Sequence, residues 1–121
     1  MGKNNVSGAW GEALAADYMR LKGYNVTNIG YSCRFGEIDV IATNEKFIVF
    51  VEVKLRKNDQ FAEAHEHVDR FKQNRLRSTA QMFLSRFPSE LQPRFDVLEI
   101  YAPEGYSSKQ VKIRHMEDAF Q

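Results

Sequence analysis

Glu37 and Asp39 stand two positions apart in the segment Gly36-Glu37-Ile38-Asp39, and Glu52 and Lys54 repeat that spacing in Phe50-Val51-Glu52-Val53-Lys54. On an extended chain, side chains two apart point to the same face. If the two segments are paired strands, ~4.8 Å apart with same-face neighbours ~7 Å apart, Asp39, Glu52 and Lys54 converge on one small site. Ile38, Val40, Val51 and Val53 then turn to the opposite face. Three arrangements fit these residue types. One is a solvated sheet face on which Lys54 pairs with Glu52 or Asp39, at little energetic value. The second is a buried salt-bridge network, tolerated only when every charge is well paired. The third is a site for a hard divalent cation, which takes oxygen ligands from one or two carboxylates, waters and phosphate.

The elements that must position these residues are legible in the pattern. Apolar spacing predicts a helix from about Val6 to Lys22, stopped by Gly23. Trp10, Leu14, Tyr18 and Leu21 form one stripe on it. A second stripe, Gly8, Ala15, Ala16 and Met19, encloses Glu12, so this acid is expected to be partly covered. Strands are predicted over Tyr24 to Tyr31, Gly36 to Thr43 and Phe47 to Arg56, with a short turn at Asn44 and Glu45 that makes the last two antiparallel. The run Phe47-Ile48-Val49-Phe50-Val51 marks a strand covered on both faces and central in its sheet. Lys57 to His67 reads as a loop. A second helix is expected over Val68 to Phe87, with Phe71, Leu76, Thr79, Phe83 and Phe87 on one face and Pro88 ending it. Arg94 to Tyr101 is a further strand, and Gln110 to His115 an edge strand. The order α-β-β-β-α-β describes one α/β domain over residues 1–121, with the second helix crossing back over a central mixed sheet.

Bulk properties bound the function. The 121 residues are 43% hydrophobic and 27% charged, ordinary for a folded domain. A net charge of +1 excludes nucleic-acid binding by bulk charge alone, so any such contact rests on a local patch. Cys33 is the sole cysteine, which excludes an intramolecular disulfide and fits a reducing compartment. With neither a signal peptide nor an apolar span, the expectation is a cytoplasmic protein with no membrane partner.

Glu-x-Lys alone is common in strands. The ordered set of Glu12, Gly36-Glu37-Ile38-Asp39 and Phe50-Val51-Glu52-Val53-Lys54 is far more specific, and it resembles the PD-(D/E)XK nuclease superfamily. It is most similar to the YraN-like family of predicted endonucleases, which resembles archaeal Holliday junction resolvases. The likeness covers nearly the whole chain: Gly8 to Tyr18, Gly23-Tyr24, Cys33-Arg34 with Gly36, Lys72-Gln73, and Arg94-Phe95-Asp96-Val97. Ile38 replaces the proline that precedes the superfamily's first acid. The resemblance implies a restriction-endonuclease-like fold, an Mg²⁺ or Mn²⁺ cofactor and hydrolysis of phosphodiester bonds in DNA, with branched or structured DNA as the narrower substrate class. It implies Asp39 and Glu52 as metal ligands, Lys54 as the group that positions water or stabilises the transition state, and Glu12 as a contribution from the helix. A homodimer is implied as well, since symmetric strand cutting needs two sites.

Several residues carry two readings. Glu37 is a further candidate ligand, but its ordinary role is a rim acid paired with Arg34 or Arg56. Lys72 lies in the apolar stripe of the second helix, where lysine can bury its stem and lift its amine to water; alternatively Lys72 or Gln73 completes the site. Arg70, Lys72, Arg75 and Arg77 make that helix basic, and Arg34, Arg56 and Lys57 flank the acid-bearing strands, which suits a nucleic-acid backbone. His65 and His67 are too few for a structural zinc site. A binding module that keeps the nuclease scaffold without turnover is the alternative function. A protein-interaction domain with purely structural charges is a third reading.

Overall fold

The computed structural model describes residues 6–57 and 68–121. Its elements run α1 (Val6–Leu21), β1 (Asn25–Cys33), β2 (Gly36–Thr43), β3 (Phe47–Arg56), α2 (Arg70–Arg86), β4 (Gln92–Tyr101), a single 3₁₀ turn (Gly105–Ser107) and β5 (Lys112–Phe120). The expected loop through His67, with His65, His67, Phe61 and Ala62, falls almost wholly outside the described residues.

Local chemistry sets the boundaries. Gly23 adopts φ +98°, and the Gly23 and Tyr24 amides donate back to Arg20 and Met19, which closes α1. The Asn44 side chain accepts from the Lys46 and Phe47 amides at 2.9 and 2.7 Å, fixing the tight turn between β2 and β3. Asp69 caps α2 by accepting from the Lys72 amide at 2.8 Å.

The five strands lie in the order β1-β2-β3-β4-β5. The β3–β4 pair is parallel, joined by the crossover that contains α2, and the other pairs are antiparallel. β3 is central, as its apolar run requires. One core packs Ala15, Ala16 and Met19 of α1 against Val40, Val49, Val51 and Leu98. The other packs Leu76, Ala80 and Phe83 of α2 against Ile41, Phe50 and Val97. No helix among the described residues is long and apolar enough to cross a membrane.

Three sequence expectations change. The small-residue stripe of α1 is the face that packs deepest, because small side chains let the helix approach the sheet: a Cβ on Gly11 would come within 3.2 Å of Leu55. Leu21, expected in the apolar stripe, is 87% exposed, as are Phe71 (72%) and Phe87 (54%) on α2. β5 continues past His115 to Phe120, because a buried charge cluster holds its second half.

That cluster centres on Asp96, which is fully buried. Its carboxylate accepts from Arg94 Nε and Nη2 at 2.8 and 2.7 Å and from the Asp118 amide at 2.9 Å, and lies 2.7 Å from His115 Nε2. Arg94 also donates to the Tyr24 hydroxyl at 2.7 Å and lies over the Phe47 ring. Asp118 adopts φ +52° at the register shift between Phe95 and Val97, which points its amide at Asp96. Burial pushes the Asp96 carboxyl up, but the bonds from His115, Arg94 and Asp118 and the arginine's charge outweigh it and hold Asp96 below the usual carboxylate range. The Asp96 bond in turn keeps Arg94 protonated.

Candidate active site

Ladder pairing between β2 and β3 runs from Thr43↔Ile48 to Val40↔Val51 and stops there. At the next position the Asp39 carboxylate takes over: its Oδ2 accepts from the Val53 amide at 2.8 Å, with Asp39 only 1% exposed. A side chain thus serves where a backbone carbonyl would have served, and the two strands part. Strict alternation places Ile38 and Val40 on one face, but here Ile38 joins the α2-side core and Val40 the α1-side core. β2 stays paired to β1 through Ile38↔Tyr31, and the change of face falls where its pairing with β3 ends.

The fork decides which charges meet. Glu12, reaching from α1, and Glu37 and Asp39 from β2 bring one carboxylate oxygen each within 4.8 Å of one another. Glu37 is therefore part of the acid cluster. No ion pair joins it to Arg34 or Arg56 among the described residues, so the rim pairing expected of it is not formed. Glu52, 3% exposed, opens toward α2, where its Oε2 lies 3.1 Å from Lys72 Nζ and 3.9 Å from Lys54 Nζ. The two groups are adjacent, since Val53, which holds Asp39, follows Glu52 directly. Glu37 and Lys72 also line one small hollow together with Gly36 and Arg75.

The basic residues separate by the same geometry. Lys72 touches the site. Arg75 donates to the Phe35 carbonyl at 3.4 Å and lines the hollow beside Glu37. Arg34 lies over the Phe35 ring at the β1–β2 turn, and Arg34, Lys57 and Arg70 are exposed. The others have structural partners. Arg56 Nη2 lies 3.5 Å from buried Glu99, which also accepts from the Tyr101 hydroxyl at 2.7 Å. Arg77 donates to the Gln121 carbonyl at 2.7 Å and stacks on Phe120, and the Gln73 side-chain amide donates to the Val68 carbonyl just before α2 at 2.8 Å.

The sequence reading missed one basic residue near this face. Arg75, Thr79, Met82 and Arg86 recur at i, i+4, i+7 and i+11, a single stripe of α2. Thr79 packs against Gly36, and Met82 and Arg86 line a groove beside β1. That spacing was the available signal for Arg86.

The model of the uncharacterised protein family UPF0102 matches residues 11–100, spanning the acids, both lysines and the β4 cluster. The chain belongs to the UPF0102 family. A family member from Alkaliphilus oremlandii is 42% identical over 120 residues, covering 97% of this chain and 99% of its own. Another from Caldanaerobacter subterraneus subsp. tengcongensis is 40% identical over 116 residues, 93% of each chain. A third, from Thermodesulfovibrio yellowstonii, is 39% identical over 113 residues, 93% of this chain and 94% of its own. The resemblance to the YraN-like family therefore holds over residues 11–100. These relatives carry the family description alone.

Proposed function

We propose that this UPF0102 protein is a metal-dependent nuclease that hydrolyses phosphodiester bonds in nucleic acid, with DNA as the substrate. The observation that carries the reading is the convergence of Glu12, Glu37 and Asp39 beside the Glu52–Lys72–Lys54 group. Three carboxylates offering oxygen donors within 4.8 Å suit a hard cation such as Mg²⁺ or Mn²⁺. Such an ion, when bound, supplies charge neutralisation and an activated water.

The chain's own residues account for the rest. Glu12, Glu37 and Asp39 would hold the ion, and the Val53 amide fixes Asp39 in place. Lys54 and Lys72 bring two compact positive charges to the site's edge, where the charge developing on a phosphate would be stabilised. Glu52 holds both ammonium groups in position. Arg75 and Arg34 extend positive charge from the site along the β1–β2 turn, a track for the phosphate backbone that a net charge of +1 leaves local.

The test is cleavage by purified protein, with Mg²⁺ or Mn²⁺, of linear duplex, single-stranded, flap and four-way-junction DNA. Asp39→Asn, Glu37→Gln and Glu52→Gln are run beside it. Cleavage by wild type, blocked by chelator and absent from the folded variants, is expected. No cleavage of any substrate, with metal-independent binding that survives in all variants, would replace the enzyme by a binding module on the same scaffold.

A further inference from the structure

Beside the acid cluster lies an open groove of about 550 Å³, between edge strand β1 and the C-terminal half of α2. Tyr31, Cys33 and Arg34 line one wall, and Met82, Arg86 and Phe87 the other. Its floor is apolar, and among the described residues its only charged lining side chains are the two arginines. It continues, along the Arg75–Thr79–Met82–Arg86 stripe of α2, from the hollow that Glu37, Lys72 and Arg75 line.

The aromatic residues are built into the core at one end and bare at the other. Tyr31 meets Phe83 edge-on at 5.1 Å, and Phe83 in turn packs on Phe87 at 4.9 Å. Phe83 is buried, whereas Phe87 is 54% exposed. The Phe87 amide donates to the Phe83 carbonyl at 2.8 Å, which fixes the backbone that carries the ring. A fixed aromatic surface flanked by guanidinium groups and lacking carboxylates is the chemistry that receives an unpaired nucleotide: the base stacks and the phosphate takes the charge.

We propose that this groove binds a single-stranded segment of nucleic acid, with a base against Phe87 and Met82 and its phosphate between Arg34 and Arg86. The inference rests on the nuclease reading only for its adjacency to the site. It makes the substrate a nucleic acid with an unpaired stretch next to the bond to be cut.

Fluorescence anisotropy of a labelled oligothymidylate and of a blunt duplex, in chelator so that nothing is cut, tests it. Phe87→Ala and Arg86→Gln alter exposed side chains, and circular dichroism checks that both fold. Phe87→Ala should weaken oligothymidylate binding at least about fivefold, the low end for one aromatic–base stack. Arg86→Gln should lower the slope of log affinity against log salt by about one. Duplex binding should stay within twofold. Failure of wild type to bind the oligonucleotide, or equal binding by both variants, overturns the groove; if wild type still cleaves duplex with metal, the nuclease reading survives that failure. Weakened single-strand binding in a protein that cleaves nothing supports the groove and removes the nuclease.

Discussion

Replacing Asp96 by Asn should cost this protein about a quarter to a half of a typical domain's stability. Asp96 is fully buried and receives bonds from Arg94 and from the Asp118 amide, with His115 alongside. The variant keeps the shape but removes the charge, leaving Arg94, whose side chain is only 8% exposed, with Glu117 at 3.9 Å as its remaining acid. Breaking a buried pair by removing one partner costs about 3–5 kcal/mol. The asparagine oxygen can still accept one bond, and the Phe47 ring still faces the guanidinium, so the lower figure of about 3 kcal/mol applies. With an unfolding entropy of ~2.1 cal/mol/K per residue, 121 residues give about 0.25 kcal/mol/K, and the melting temperature falls by about 12 °C. Thermal melts followed by circular dichroism at pH 7 measure this directly. The pH dependence has a fixed sign. The folded carboxyl titrates below its unfolded value, so its contribution is complete above ~4 and is lost as pH falls through the folded value. The gap between wild type and variant is therefore full at neutral pH and closes in acid. A drop of less than about 3 °C at pH 7, or a gap that widens in acid, would refute the account of this cluster.

Two further outcomes follow from the site's surroundings. Gly36→Ala places a Cβ at φ +148° and 3.2 Å from Thr79 Oγ1, so it should cost about 1–3 kcal/mol in chemical denaturation, with an unchanged midpoint counting against the close approach of the turn to α2. Lys72→Met removes a partly exposed positive charge beside the proposed ion site, an effect of at most about 1 kcal/mol, so calorimetry should show Mg²⁺ binding tightened by up to about fivefold; weakened binding would show that Lys72 supports the ion instead of opposing it.

The parts of the molecule readable from sequence are those governed by local periodicity. β2 and β3 fall on the predicted residues because alternation, the Asn44 turn and a doubly covered apolar run all agree there. Glu12 could be tied to the site because small residues flank it on α1. What escaped depends on where pairing ends and what lies across space. Glu37 could not be separated from a rim acid, since its place beside Glu12 follows from the parting of β2 and β3, and no residue type announces that fork. Arg56 and Arg77 read as free cations because their partners, Glu99 and the Gln121 carbonyl, lie 43 and 44 positions away. Phe87 fits an apolar stripe by spacing, yet it falls at the end of α2, beyond the sheet that would cover it.

The parallel pairing of β3 with β4 has a consequence for the order of assembly. Every rung joins residues 45 positions apart, from Phe47↔Gln92 to Arg56↔Tyr101, and these rungs form only after the crossover closes. Antiparallel β1, β2 and β3 need no such closure. The four carboxylates and Lys54 all lie on α1 and those three strands, whereas Lys72, Arg75 and Arg86 arrive with the crossover helix. Closing a long loop comes late, because its entropy is spent before its contacts form. A chain emerging from its N-terminus thus collects its four acids before Lys72, Arg75 and Arg86. Until the crossover docks, Glu52 lacks Lys72 and the hollow beside Glu37 lacks Arg75, so the site is completed only with the last long-range pairing.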